Sequence, residues 1–245
     1  KTTDGRVLFV IPWRNHVIIG TTDIETENIS FEPGKSQSDI DFLLANARDY
    51  LTKQPTLKDI KSIFSGLRPL VSTSNKNTKH LSRDHILLQS ENGLLHILGG
   101  KWTTYRLMGE EAIDKILAHK PHDFSKSKTR QLRLNGYHES PNVDDPLHMY
   151  GNQNKIIESL GTNISLSQDI FLSEGMIIYA IQYEMALTLE DILARRSRVL
   201  FLNAKEAVRL APIVVEIMGK HLQKDKKWEK EQRDFFILLA SNYYL

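Results

Sequence analysis

The period of the apolar positions changes along the chain, and the change divides it. Arg6 to Ile11 is a β-branched and aromatic run, Pro12-Trp13-Arg14-Asn15 interrupts it, and His16 to Gly20 is a second run. Two short apolar runs about a Pro/Asn turn predict a β-hairpin. Ile24 to Lys35 is polar and reads as a loop. Ile40, Leu43, Leu44, Ala47 and Leu51 then recur at helical spacing. They predict an amphipathic helix over about 38–53, with Ser38 as its cap and Asp41 in its first turn. Ile60 to Leu70 mixes apolar residues with Gly66 and Pro69 and predicts a strand ending in a bend, before a polar loop from Ser72 to Lys79.

His85 to Gln89 and Leu94 to Leu98 flank Glu91-Asn92-Gly93, and Asn-Gly between apolar runs is a strong hairpin signal. The second of these runs passes directly into Gly99-Gly100-Lys101-Trp102-Thr103-Thr104. Leu107, Met108, Ala112, Ile113, Ile116 and Leu117 follow at helical spacing, so the order is strand, glycine turn, helix. His119 to Lys128 is polar and basic and marks a boundary. Beyond about 130 the pattern is mostly helical, with helices expected over about 152–160, 173–186, 188–200, 203–222 and 228–243. Pro212 falls inside the fourth and should start or kink it. The expected fold class is α+β: a mainly antiparallel sheet region followed by a small all-α bundle.

Composition narrows the chemistry. The 245 residues include no cysteine, which excludes a disulfide scaffold, a thiolate nucleophile and a cysteine-ligated metal. Lys+Arg number 32 against 30 Asp+Glu, and a net charge of +2 gives no argument for nucleic acid. No run approaches the roughly 20 apolar residues that span a bilayer. The chain opens on Lys1 and has no signal peptide, so an internal or C-terminal piece of a longer protein is expected. The histidines lack metal-ligand spacing, and no metal site is expected. His96 alternates with apolar neighbours and reads as packing or hydrogen bonding.

The glycine turn carries the most chemistry. A strand, paired glycines and a helix start place backbone N–H groups at the positive end of a helix dipole, where an anion or an electron-rich ring edge can sit. Lys101 adds a point charge, and Thr103 and Thr104 add hydroxyls. An ordinary strand–turn–helix with a threonine cap has the same pattern. Arg68, held between Gly66 and Pro69, is placed to fork onto a phosphate or carboxylate, or is simply a surface arginine at a strand end. Arg83 reads as a strand-edge charge beside Asp84. The basic run Arg195-Arg196-Ser197-Arg198 could meet anionic lipid or nucleic acid, but its charges are expected instead to pair with Glu184, Glu190 and Asp191 on neighbouring turns. No G-x-G-x-x-G occurs, so the main half of any dinucleotide site lies outside this sequence.

Five segments occur in order: Ile18-Ile19-Gly20-Thr21-Thr22-Asp23, Ser65-Gly66-Leu67-Arg68-Pro69-Leu70, Ser82-Arg83-Asp84, Gly99-Gly100-Lys101-Trp102-Thr103-Thr104-Tyr105-Arg106, and Ala194-Arg195-Arg196-Ser197-Arg198 with Phe201-Leu202-Asn203. The series closely resembles the FAD-dependent glycerol-3-phosphate dehydrogenases, and Trp102 resembles the mitochondrial branch. The resemblance implies oxidation of glycerol 3-phosphate to dihydroxyacetone phosphate, hydride transfer to FAD, and electrons passed to membrane quinone. It implies a substrate-binding cap (1–98), the returning strand and helix of an FAD domain (94–118) and a C-terminal helical domain (125–245). It also implies peripheral attachment to the mitochondrial inner membrane, or to the bacterial cytoplasmic membrane, and a homodimer. Arg68 would lie at flavin and substrate as the catalytic arginine. Arg83 and Lys101 would hold the substrate phosphate. Gly99, Gly100, Lys101, Thr103 and Thr104 would line the flavin. The family's glycine-rich FAD fingerprint and its upstream histidine base are missing, so this chain alone is expected to be inactive. No calcium loop is present. Another flavin-dependent amine or hydroxy-acid oxidase, or a non-catalytic module for a phosphorylated ligand, are the alternatives.

Overall fold

The computed structural model describes residues 2, 5, 7–68, 85–118 and 125–245. Two compact units emerge: Lys1–Gly66 with His138–Leu245, and Leu67–Tyr137.

In the larger unit, β1 (Phe9–Trp13) and β2 (His16–Gly20) pair antiparallel, Phe9 opposite Gly20 and Trp13 opposite His16. The strand therefore runs through Pro12 and Trp13, which the sequence assigns to the turn. The turn is only Arg14-Asn15, both in the left-handed region at φ 48° and 63°, as a two-residue hairpin whose twist matches its strands requires. Pro12 is tolerated because each strand of a two-stranded sheet has an open edge. Helix α1 (Gln37–Arg48) begins after Ser36 rather than at Ser38, and its apolar stripe buries Ile40, Leu44 and Ala47. The expected strand from Ile60 is absent among the described residues 60–68: this stretch carries neither helix nor strand. Its polar groups bond to helix ends and to the C-terminal turn instead, which satisfies the backbone without a sheet.

The rest of this unit is helical: α3 (Asn154–Leu160), α4 (Glu174–Tyr183), a π-helical turn (Asp191–Arg196), α5 (Val199–Leu202), α6 (Ala204–Leu222) and α7 (Lys226–Ala240). The single helix expected over 188–200 is divided. Arg198 sits at φ 66°, and a left-handed residue ends one helix before the next begins. Helix α6 passes straight through Pro212, which faces solvent, where water can serve the carbonyl that loses its donor. Side-chain caps fix three helix starts: Ser173 on Met176 N–H, Asn203 on Glu206 N–H, and Asp225 on Trp228 N–H. Ile177, Leu193, Leu210, Val214, Met218 and Phe236 are fully buried and form the core. Each such side chain contributes about 1.5–3 kcal/mol relative to exposure.

The smaller unit is built on β3 (His85–Gln89) and β4 (Leu95–Gly99), antiparallel with His85 opposite Gly99, followed by α2 (Tyr105–Leu117). The Asn-Gly signal is real, but its geometry is not a two-residue turn. Gly93 N–H donates to Ser90 C=O (2.9 Å), Ser90 N–H donates to Leu94 C=O (3.0 Å), and Gly93 sits at φ 85°. This is a type I turn closed by a left-handed glycine, a three-residue loop. Of this unit's described residues only Ala112 is a buried hydrophobic, while Ile97, Ile113 and Ile116 are exposed. One hairpin and one helix cannot cover each other's faces.

Candidate functional site

The smaller unit assembles Gly99 to Thr104 into one turn. β4 ends at Gly99 (φ 73°), Gly100 follows at φ 94°, and both values are left-handed conformations that a side chain resists. At Gly100 the neighbours are also close: a Cβ would lie 2.6 Å from Met108 Sδ, a flexible end that can move aside, and 3.3 Å from His85 Cβ. The turn is thereby pressed onto its own helix and its own sheet. Lys101 then precedes a 3₁₀ turn, Trp102–Thr104, which leads into α2. Thr104 is tied back to Lys101 C=O by its N–H and by its hydroxyl, both at 3.0 Å. The amides at this start point away from the helix, toward any electron-rich group set before it.

Lys101 and Thr103 are exposed and Thr104 is half-buried. Arg68 is exposed and belongs to the same compact unit. Arg83 lies outside the described residues, as do the polar loop of Ser72 to Lys79 and most of the expected linker. Thus five of the predicted site residues, Gly99, Gly100, Lys101, Thr103 and Thr104, come together on a single turn.

The structure adds residues that spacing did not single out. Trp102 is 87 % exposed and lies tilted against Tyr105, ring centroids 5.7 Å apart. His85, whose side chain is 12 % exposed, bonds Glu111 at 2.7 Å, so the base of the turn is braced by α2. Lys115 donates to Leu87 C=O at 2.9 Å, a second strand–helix tie. Arg106 pairs with Glu110 and donates to Thr129 Oγ1. The signal for His85 was present in the sequence: counting back from the Asn-Gly loop puts it opposite Gly99. His96 behaves as expected, within 3.4 Å of Ser90 Oγ.

Arg195 and Arg196 of the basic run in the larger unit are paired within that unit, while Arg198 is exposed. Arg195 bonds Asp191 (2.8 Å) and Glu190 (2.5 Å), and Arg196 donates to the carbonyl of Glu184 and lies 3.7 Å from Asp191. The expected pairing holds, except that Glu184 contributes its main chain. Burial pushes the Glu184 carboxyl up, against the pull of Arg196. Burial also pushes Asp191 up, but hydrogen bonds from Thr188 and Leu187, and then from Arg195, bring it below the ordinary carboxylate value. Two shallow concavities, of about 390 and 270 Å³, are lined by residues of the larger unit and contain none of the predicted site residues. Among the described residues no cluster of acidic and histidine side chains could hold a metal, and no helix is long and apolar enough to cross a membrane.

Comparison with known proteins gives the chain a family and a fold. The family described as the C-terminal domain of alpha-glycerophosphate oxidase matches residues 95–233, and the family described as FAD dependent oxidoreductase matches residues 1–106. The mitochondrial glycerol-3-phosphate dehydrogenase of Saccharomyces cerevisiae is 31 % identical over 97 % of this chain and 45 % of its own length. The human mitochondrial glycerol-3-phosphate dehydrogenase is 33 % identical over 94 % of this chain and 35 % of its own length. The chain thus spans less than half the length of these curated relatives. The solved glycerol-3-phosphate dehydrogenase of Bacillus halodurans, complexed with FAD, superposes with a TM-score of 0.77 at 21 % identity, over 99 % of this chain and 52 % of that one. That likeness establishes the fold.

Proposed function

Since this chain belongs to the family described as the C-terminal domain of alpha-glycerophosphate oxidase and its residues 1–106 match the FAD dependent oxidoreductases, we propose that it is the C-terminal portion of a flavin-dependent glycerol-3-phosphate dehydrogenase. The observation that carries the reading is the turn Gly99–Thr104. It lies inside residues 95–106, where the two family matches overlap. Its left-handed glycines set backbone amides and Lys101 at a helix start.

The chemistry of that donor set fits the electron-rich edge of a flavin. Gly99 and Gly100 present main chain without side chains, Thr103 and Thr104 supply hydroxyls, and the helix dipole favours negative charge. FAD would supply the two-electron acceptor for the C2 hydride of glycerol 3-phosphate. Arg68, Arg83 and Lys101 are proposed to hold the dianionic phosphate, because fixed cations in a partly dry pocket are what a phosphate requires. Arg68 has in addition the catalytic place near the reacting carbon. The proton of the C2 hydroxyl needs a base, which this reading puts outside the chain.

The domain assignment is part of the proposal: cap residues 1–98, the returning strand and helix of the FAD domain at 94–118, and the helical domain at 125–245. The exposed apolar residues of β4 and α2 support it, since a strand and helix completing a larger sheet would carry such faces. Electrons are proposed to pass to membrane quinone, in a homodimer peripheral to the mitochondrial inner membrane. The names of the mitochondrial relatives support the location.

The test is reduction of bound flavin by glycerol 3-phosphate in the full-length protein. Rapid bleaching is expected, and Arg68→Ala or Lys101→Ala should each lower kcat/KM on the order of a hundredfold. Near-normal turnover in both variants would refute the site. Flavin that stays oxidised with this substrate but is reduced by an amine or hydroxy acid would refute the substrate.

A further inference from the structure

Two arginines of the larger unit stand where arginine is a poor choice. Arg14, at the tip of the β1–β2 hairpin, and Arg198, just before α5, both hold a positive φ, 48° and 66°. That conformation is unfavourable for a long side chain, and glycine or asparagine accepts it better. The two are far apart in sequence and close in space. Arg14 Nη1 donates to the carbonyl of Ser197 at 2.5 Å, one residue before Arg198. Two positive charges are thereby brought side by side, and like charges repel. Burial lowers the Arg14 guanidinium, Tyr150 draws it back up, and the Arg198 charge lowers it further.

Nothing among the described residues offsets this. Arg195 and Arg196 meet Glu190 and Asp191, whereas neither Arg14 nor Arg198 forms an ion pair there. Arg14 Nε is buried without a hydrogen-bond partner. The Arg198 side chain is exposed and donates no hydrogen bond among the described residues, and neither does the Tyr150 hydroxyl. Burial, and then Glu184, push that hydroxyl up, so it keeps a proton to donate. Glu184 is itself answered by Arg196. Left-handed backbone, adjacent like charges and a buried donor without a partner each destabilise a fold. Their coincidence at one place is explained by a ligand that all three serve.

We infer that Arg14 and Arg198, with the Tyr150 hydroxyl beside Arg14, form a binding site for a dianionic phosphate group. The charge decides the class. Two guanidinium groups balance the charge of about −1.5 to −2 that a phosphate monoester carries at neutral pH, whereas a single carboxylate would leave one of them unopposed. The guanidinium fork also matches the spacing of phosphate oxygens. The site uses no residue of the Gly99–Thr104 turn and does not rest on the flavin reading. One consequence is specific to it. Without phosphate, Arg198 burdens the fold, so Arg198→Asn should relieve the left-handed strain and the repulsion while removing the binding.

The experiment follows thermal unfolding and amide exchange of the full-length protein with inorganic phosphate, against acetate at equal ionic strength. Phosphate should raise Tm and slow exchange at Asn15 and His16, and acetate should do neither. Arg198→Asn, without phosphate, should unfold at the wild-type temperature or above, and should bind phosphate about tenfold more weakly. Arg14→Lys keeps the charge and loses the fork, and should weaken binding as well. Arg68→Ala should leave the response at Asn15 and His16 intact. In that variant, tighter binding of glycerol 3-phosphate than of inorganic phosphate would support the site and name an ester as its ligand; weaker binding would support it and name free phosphate. If phosphate leaves exchange at Asn15 and His16 unchanged, or slows it equally in Arg198→Asn, the inference falls. If the response is lost in Arg68→Ala and kept in Arg198→Asn, phosphate acts from elsewhere and the inference falls. If Arg198→Asn lowers Tm without phosphate, a carboxylate of the protein already fills the place and the inference falls. Arg198 is exposed, so its variant decides the matter should Arg14→Lys fail to fold.

Discussion

Gly175, the second residue of α4, is the sharpest point at which packing can be tested. A Cβ built there would stand 2.4 Å from the carbonyl oxygen of Ile157 in α3, and Ile157 is fully buried. Ordinary van der Waals contact begins near 3.4 Å, so Gly175→Ala demands a shift of about 1 Å between two main chains. No flexible side-chain end can absorb it. Overpacking of this kind costs about 1–3 kcal/mol, and the better helix propensity of alanine returns at most about 1 kcal/mol, less in a first turn. The net expectation is a loss of about 1–2 kcal/mol, or about 2–8 °C in Tm for a unit of this size. Thermal unfolding followed by the fluorescence of half-buried Trp13 and Trp228 reads that unit directly. Gly109 in α2 is the contrast, with no heavy atom within 4 Å of its would-be Cβ. Gly109→Ala should stabilise its helix by about 0.5–1 kcal/mol, read as slower amide exchange in α2. An unchanged or raised Tm for Gly175→Ala would refute the claim that close approach of α3 and α4 is why glycine stands there.

Four further outcomes are expected. Asn203→Ala removes the cap of α6 and the bond from Nδ2 to Asp169, and should cost about 0.5–2 kcal/mol by urea denaturation. Arg14→Asn keeps the left-handed turn, which asparagine tolerates, but loses the 2.5 Å bond to Ser197 C=O; a loss of about 1–3 kcal/mol is expected in the same assay. Asp191 titrates below its ordinary value in the folded chain, so its stabilisation is present above the unfolded pKa of 3.8 and is lost as pH falls through the lower folded value. Glu184 has the opposite sign: its raised folded pKa means that wild type recovers stability as pH falls toward the unfolded 4.5, so Glu184→Gln should raise Tm at pH 7 and lose that advantage in acid.

Local signals were read correctly wherever a residue's neighbours in sequence are also its neighbours in space. Both hairpins, the strand–glycine–helix order, and the Arg195 pairs with Glu190 and Asp191 are of this kind. Gly99 and Gly100 announced a left-handed turn because few other residues accept it. Ile60 to Leu70 misled for the converse reason. Its β-branched and apolar residues satisfy strand propensity, but among the described residues no strand pairs with 60–68, and the bonds of residues 61–63 run to residues more than 130 positions away. The helix expected over 188–200 failed on a single backbone, Arg198, whose positive φ no propensity for arginine foretells.

The sequence by itself determined the two hairpins, most of the helices, the composition limits and the turn that holds Lys101, Thr103 and Thr104, since each depends on short-range sterics and periodicity. Only the tertiary structure decided that Gly100 packs against Met108 and His85, that Gly175 is forced by Ile157, and that residues 61–63 are bonded to α5, the start of α6 and the C-terminal turn. Those are contacts across loops whose closure leaves no mark in the local pattern, because the chain entropy they overcome is set by the whole fold and not by the residues that meet.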